Sequence, residues 1–179
     1  MHSYPIVENV TLSLSDISDK IYQIIAPIRP DWNQSNTRLA KFTEGITNAI
    51  FGLFDSRTGD DQSKALVIKL FGAHTELFID RQSEINAMVK LSKHGVLSQR
   101  VLVQLQNGLG YEYAPGEACS RDNVRKENIA QLIATKLAQF HCVPVEEYGK
   151  PYVILLLRRF LQIIKEDAHQ SKGSTIVPC

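Results

Sequence analysis

Among the residues that could do chemistry, one lysine and one glutamate occupy unusual positions. Lys69 lies inside the apolar segment LVIKLF (residues 66–71), and Glu84 lies in a following segment with helical spacing. An ammonium group is costly to bury alone, and a carboxylate on a neighbouring helix is the usual compensation. A lysine held in this way can direct its charge at a phosphate group. The alternative is an edge-strand lysine whose ammonium reaches solvent, with Glu84 simply solvated.

A second candidate is the segment TEGITNAIFGLF at residues 43–54. Gly45 and Asn48 would let the chain turn tightly between two strands and present backbone N–H groups to an anion. The segment matches neither GxGxxG nor GxxxxGK[ST], so taken on its own it is better explained as an ordinary hairpin turn.

A third candidate is the segment GLGYEYAPGEA at residues 108–118, in which Glu112, Tyr113 and Ala114 end a strand before Pro115 and Gly116 interrupt it. Exposed backbone at such a point could contact a flat ring such as adenine. An ordinary exit from a strand into a turn is the alternative. Neither a catalytic residue nor a metal ligand is predicted, because His141 has no second histidine at ligand spacing.

Composition and charge narrow the possible functions. The chain has 179 residues, of which 44% are hydrophobic and 22% charged, and its net charge of +1 offers no electrostatic footprint for nucleic acid or an anionic membrane. Cys119, Cys142 and Cys179 are odd in number and far apart, which indicates neither a disulfide framework nor a zinc site. We expect a cytoplasmic protein with no signal peptide, no membrane insertion and no nucleic-acid partner.

The elements that must position these residues follow from hydrophobic periodicity. Isoleucines spaced on one face predict a helix over residues 15–28, and Asp80 and Gly95 delimit a second helix. The remaining predicted elements are a meander of two or three strands over residues 38–71, strands at 101–106 and 109–114 joined by the turn signal Asn107-Gly108, and helices at about 125–141 and 152–169.

This order predicts an α+β fold, with a five-stranded antiparallel sheet, one helix inserted after the third strand, and flanking helices. The predicted segments are an N-terminal helical region (1–37), the sheet with its inserted helix (38–116), a helical region (117–170) and a disordered tail (171–179).

Taken in order, four segments resemble the N-terminal lobe of the choline and ethanolamine kinase family, which belongs to the protein-kinase-like phosphotransferases. The four segments are GITNAIFGLF, LVIKLFGAHTELFIDRQSEI, NGLGYEYAPGEA and IAQLIATKLAQFHCVP. The resemblance runs from about residue 41 to residue 144 and leans toward the ethanolamine branch at TELFIDR and YEYAPGEA.

The resemblance implies the phosphorylation of ethanolamine by ATP with Mg²⁺, a step toward phosphatidylethanolamine. By the same resemblance, Lys69 would contact the ATP phosphates and Glu84 would hold it. The other nucleotide-binding positions that it implies are Gly45, Ile46, Thr47 and Asn48 over the phosphates, and Glu112, Tyr113 and Ala114 around adenine.

The sequence departs from the family in two ways. Family members often have arginine where this chain has Lys69, and arginine binds phosphate as a fork rather than as a point charge. The chain also contains neither an HxDxxxxN-type loop nor a DFE or DFG motif. We therefore expect the family's C-terminal lobe to be missing beyond about Asp167, and these residues alone to be inactive. An alternative is a non-catalytic short form that associates, as a homo- or hetero-dimer, with a full-length kinase.

Overall fold

The computed structural model describes residues 5–43, 47–59, 61–145 and 152–173. Its strands are β1 (Ile6–Val7), β2 (Thr37–Phe42), β3 (Asn48–Asp55), β4 (Leu66–Phe71), β5 (Val101–Leu105) and β6 (Gly108–Glu112). Its α-helices are α1 (Ile17–Ile25), α2 (Arg81–Lys93), α3 (Glu127–His141) and α4 (Tyr152–Gly173), with short 3-10 helices at Thr75–Leu77 and Asn123–Arg125.

The strands form one sheet in the order β1-β5-β6-β4-β3-β2. Strands β2 to β6 pair antiparallel, as predicted, and α2 is inserted between β4 and β5. The α+β prediction is therefore confirmed. The additional strand is β1, which pairs in parallel with β5. A two-residue strand is too short to show an alternating pattern, so periodicity could not reveal it.

The predicted hairpin between β5 and β6 is present, but its turn differs from the predicted one. Gln106 and Asn107 form the turn, and Gly108 is already the first residue of β6. The amide of Asn107 bonds the backbone of Leu12, accepting from its N–H at 3.0 Å and donating to its carbonyl at 2.7 Å. A Cβ at Gly108 would lie 2.5 Å from the Lys69 carbonyl oxygen, so glycine is needed there for close strand approach.

One face of the sheet carries the main hydrophobic core. Helix α1 turns its isoleucines toward this face, where Leu66, Ile68 and Leu70 of β4 are also buried. Trp32 closes the edge of this core, and the Arg29 guanidinium lies 5.7 Å from the centre of its ring. Burial of the alternate residues of β4 leaves Lys69 on the opposite face.

Helix α2 packs on that opposite face through a smaller cluster of Ile85, Val101 and Leu109. Asp80 caps the helix as predicted, because its carboxylate accepts a hydrogen bond from the Ser83 N–H at 3.0 Å. Gly95 follows the helix with φ of 70°, the left-handed conformation expected after a helix end. Asp80 and Gly95 thus set where α2 begins and ends.

Helices α3 and α4 form as predicted, but many of their described apolar side chains are exposed. Exposed apolar residues on α3 include Leu132, Leu137 and Phe140. Helix α3 bonds the rest of the molecule through Lys136, which donates to the Val96 carbonyl at 3.1 Å. Within the described part of the chain, no helix is long and apolar enough to cross a membrane. The tail predicted from residue 171 differs in its first three residues, which continue α4, and residues 174–179 lie outside the described part.

Candidate functional site

The structure brings Lys69 and Glu84 together as an ion pair. The Lys69 ammonium donates to one Glu84 carboxylate oxygen, Oε1. Both side chains are mostly enclosed, with 18% of the lysine and 22% of the glutamate exposed. This pairing depends on the sheet, because β4 directs Lys69 away from the main core and α2 crosses the sheet on that side. The cross-strand neighbours of Lys69 are Ile50 on β3 and Leu109 on β6.

A third charged residue, Arg81, completes this cluster and was not identified from the sequence. Its Nη1 donates to the other Glu84 carboxylate oxygen, Oε2, at 2.8 Å. Its Nη2 donates to the Asn48 side-chain carbonyl at 3.3 Å and to the Thr75 hydroxyl. The guanidinium also lies over the Phe71 ring, 4.2 Å from the ring centre. Arg81 thus connects the starts of β3 and α2 with the end of β4.

A sequence signal for Arg81 was available. Arg81 precedes Glu84 by three residues on α2, and residues three apart lie side by side on a helix surface. The spacing therefore allowed a pair between Arg81 and Glu84. The contacts of Arg81 with Asn48 and Phe71 depend on the packing of α2 on the sheet, which no local pattern specifies.

The electrostatic balance at Glu84 keeps the carboxylate charged. Burial raises the pKa of Glu84, but hydrogen bonds from Lys69 and Arg81 outweigh burial, so its pKa lies below the ordinary value. Two cations face one anion in this cluster, which leaves one excess positive charge. Burial also raises the pKa of the nearby Tyr111 hydroxyl, and the charge of Glu84 adds to that effect. Tyr111 therefore stays neutral at physiological pH.

The described end of the predicted turn between β2 and β3, Thr47 and Asn48, lies next to this cluster. Asn48 is the first residue of β3, and its amide donates to the Thr47 hydroxyl at 3.1 Å. Gly72 follows β4 opposite this point, and a Cβ there would overlap the Thr47 carbonyl oxygen. Glycine at position 72 therefore allows the turn to approach the end of β4. The other two residues predicted in this turn, Gly45 and Ile46, lie outside the described residues.

A cleft of about 600 Å³ opens on the same face of the sheet as Lys69. Its lining includes Ile50 of β3, Val67 of β4, and Tyr111, Tyr113 and Ala114 at and beyond the end of β6. This volume lies within the range of about 300–1,000 Å³ that is usual for small-molecule sites. Lys69 is two residues beyond Val67 on β4, about 7 Å further along the strand.

Glu112 is placed differently from its predicted neighbours. Its carboxylate accepts from the Arg100 backbone N–H and from Arg100 Nε, each at 3.0 Å. Burial raises the pKa of Glu112, and the hydrogen bonds from Arg100 more than offset burial, so the pKa is below its ordinary value. The Glu112 backbone N–H donates to the Arg100 carbonyl at 3.1 Å, and the Tyr113 N–H donates to the Ala65 carbonyl at 3.0 Å. The Glu112 carboxylate and the two backbone N–H groups thus make hydrogen bonds within the fold. Tyr113 and Ala114 still line the cleft.

The residues present suit an aromatic ring joined to an anion. The cleft has apolar and tyrosine walls for a ring, and Lys69 adds a cation on the same face. For a metal ion, among the residues that the structure describes, no group of three or more His, Cys, Asp or Glu side chains has a suitable arrangement.

Solved structures identify the class of fold. A choline kinase from Cryptosporidium parvum Iowa II matches with a TM-score of 0.60 and 18% identity over 91% of this chain and 46% of its own. An ethanolamine kinase from Plasmodium vivax matches with a TM-score of 0.59 and 18% identity over 98% of this chain and 55% of its own. The chain has the fold of one part of a kinase of this type.

Sequence relatives identify the family. The choline/ethanolamine kinase family model matches residues 39–176, so the chain belongs to the choline/ethanolamine kinase family. Ethanolamine kinase 2 of Mus musculus is 27% identical over 94% of this chain and 43% of its own length. Ethanolamine kinase 1 of Homo sapiens is 33% identical over 67% of this chain and 26% of its own length. The chain thus spans less than half the length of these relatives.

Proposed function

We propose that this chain is the nucleotide-binding lobe of an ethanolamine kinase. The ion pair of Lys69 and Glu84, on the same face of the sheet as the tyrosine-lined cleft, is the observation that carries this proposal. The names of the relatives favour ethanolamine as the substrate of the whole enzyme. A kinase of this class would use ATP with Mg²⁺. The bound nucleotide would supply the phosphoryl group that is transferred.

Each part of the site has a role in this proposal. Tyr111, Tyr113 and Ala114 enclose the adenine ring, and their apolar surface excludes water from it. Lys69 binds the phosphates, and Glu84 holds the ammonium in place so that little rotamer freedom is lost on binding. Thr47 and Asn48 belong to the turn over the phosphates, together with Gly45 and Ile46. The Glu112 carboxylate bonds Arg100 and so fixes the end of β6.

We further propose that these 179 residues do not transfer phosphate by themselves. A kinase of this class needs an aspartate to orient the substrate hydroxyl and an acidic motif for Mg²⁺, and neither motif occurs in the sequence. A nucleotide held by one lobe also lacks the enclosure that aligns its phosphates. Nucleotide binding by the chain is therefore weak.

NMR titration of the purified chain tests the nucleotide site, since it detects weak binding residue by residue. We expect ATP to shift the resonances of Lys69, Val67 and Tyr111, and adenosine to shift mainly those around the cleft. We also expect no ethanolamine-dependent formation of ADP. Absence of any shift with ATP contradicts the nucleotide-binding proposal, and ethanolamine-dependent ADP formation contradicts the proposed inactivity.

A second function is favoured by the exposed apolar residues of α3 and α4. Leu132 of α3 is 65% exposed, and Leu161 and Ile164 of α4 are 58% and 63% exposed. Contiguous exposed apolar surface indicates an interaction site. In this alternative the chain binds a full-length choline/ethanolamine kinase through α3 and α4, as a homo- or hetero-dimer. Monomeric behaviour on size-exclusion chromatography, together with no binding of an apolar dye, would count against it.

A further inference from the structure

The cluster at the start of α2 contains one residue to which neither the family resemblance nor the proposed function gives a role. Only 13% of the Arg81 side chain is exposed, and it carries the four contacts described above. Its Nε is buried without a hydrogen-bond partner among the described residues. Unpartnered buried donors are uncommon and costly. Because Arg81 tolerates one, we infer that its position is set by its bonds to Glu84, Asn48 and Thr75.

We propose that Arg81 is the positioning residue of the phosphate site, fixing Glu84 and Asn48 relative to Lys69 for a nucleotide polyphosphate. This inference rests on the proposed function and deepens it. The Arg81 guanidinium acts as a fork: one terminal nitrogen bonds Glu84 on α2 and the other bonds Asn48 on β3. A planar guanidinium can hold both at once, whereas a single ammonium cannot match this fork.

Arg81 also changes the net charge beside Lys69. If Glu84 were paired with Lys69 alone, one anion would neutralise the one cation facing the ligand. Arg81 bonds the second carboxylate oxygen, so the three residues carry one excess positive charge on a partly enclosed surface. Such a charge attracts a polyphosphate more strongly than a neutral pair does, because screening by water is weaker there. Arg81 therefore strengthens phosphate binding without contacting the ligand.

The test compares ligands that share a ring but differ in phosphates. Binding of adenosine, ATP and inorganic tripolyphosphate to the full 179-residue chain is measured by NMR titration. The ratio of the adenosine Kd to the ATP Kd reports the contribution of the phosphates. We expect Arg81→Gln to reduce this ratio on the order of tenfold and to weaken tripolyphosphate binding by a similar factor, with adenosine binding unchanged. A merely structural role would weaken all three ligands alike.

Two other variants complete the test. Arg81→Lys keeps the charge but cannot bond both Glu84 and Asn48, so an intermediate ratio is expected, and this variant serves if Arg81→Gln does not fold. Arg57→Gln is the matched control, because the Arg57 guanidinium likewise bonds two separate side chains, in its case those of Asp31 and Asp55, but beyond the far end of β3. It should lower stability and leave the ratio unchanged.

The outcomes separate this inference from the proposed function. If the wild-type chain prefers ATP to adenosine and the folded Arg81 variants keep that preference, the role of Arg81 is refuted and the nucleotide site stands. If the wild-type chain binds ATP no better than adenosine, or binds neither, the proposed phosphate site itself is wrong and the role of Arg81 is refuted with it. If Arg57→Gln lowers the ratio as much as Arg81→Gln, the effect is one of stability, and the inference is also refuted.

Discussion

Lys69 on β4 and Glu84 on α2 form an ion pair across the junction of sheet and helix, fifteen residues apart in the chain. Neither residue is fully buried and neither is freely solvated, so the pair is held by the packing of α2 rather than by sequence proximity. Arg81 bonds the free oxygen of the same carboxylate.

Replacing Lys69 by methionine should weaken ATP binding on the order of tenfold or more, because the cation proposed to face the phosphates is removed. NMR titration of the purified chain measures this change. Lys93→Met is the control, since Lys93 is an exposed lysine in the last turn of α2, the helix that carries Glu84. Equal ATP affinities for the two variants would contradict the role given to Lys69.

Glu84→Gln should lower the free energy of unfolding by about 1–3 kcal/mol, because two partly enclosed cations lose their counter-charge. The folded-state pKa of Glu84 lies below its ordinary value, so its contribution is fully present above pH of about 4.5 and disappears as pH falls through the folded pKa. Urea denaturation of both proteins across acid pH measures the difference. A gap that does not narrow at acid pH would show that the loss does not come from the charge of Glu84.

Gly72→Ala should disturb the turn beside the cluster, since the added methyl group overlaps the Thr47 carbonyl oxygen. The backbone must shift to accommodate it, and overpacking of this kind costs about 1–3 kcal/mol of stability. We also expect weaker ATP binding with unchanged adenosine binding. Gly59→Ala is the control: Gly59 has φ of 59° and open space around it, so that variant costs about 1 kcal/mol through backbone strain alone and keeps ATP binding.

Arg57→Gln should make stability less dependent on acid pH. Two hydrogen bonds from Arg57, each of 2.8 Å, hold the pKa of Asp55 at about 2. Because the folded pKa lies below the unfolded value of about 3.9, the stabilisation from this pair is complete above that value and is lost as pH falls toward 2. Thermal denaturation between pH 5 and about pH 2 should therefore show the two proteins converging. A constant gap across this range would refute the assignment.

Leu132→Lys should change stability by less than about 0.5 kcal/mol, because Leu132 is 65% exposed on α3. Leu53→Ala, at a fully buried position in β3, should cost about 2–5 kcal/mol by comparison. If α3 and α4 form an interaction surface, Leu132→Lys should also reduce self-association on size-exclusion chromatography. A large loss of stability from Leu132→Lys would show that this leucine packs against the rest of the chain.

Much of the fold could be predicted from local patterns. The isoleucines of α1, the cap at Asp80 and the left-handed stop at Gly95 are set by interactions within a few residues, so sequence spacing reveals them. The alternation in β4 likewise indicated that Lys69 and Ile68 lie on opposite faces of the sheet. The roles of Asn107 and Gly108 could not be predicted. They depend on Leu12 and on the Lys69 carbonyl, both distant in the chain.

The sequence by itself therefore determined most of the elements that form, which face of β4 carries Lys69, and the resemblance to a kinase lobe. These follow from short-range periodicity and from residue matches within single segments. Only the tertiary structure decided that Glu84 reaches Lys69, that Arg81 joins Glu84 to Asn48, and that Glu112 bonds Arg100 instead of facing the cleft. The physical reason is that each contact requires α2 or a neighbouring strand to be packed at one particular position. That position is set by the burial of the whole sheet and not by the residues in contact.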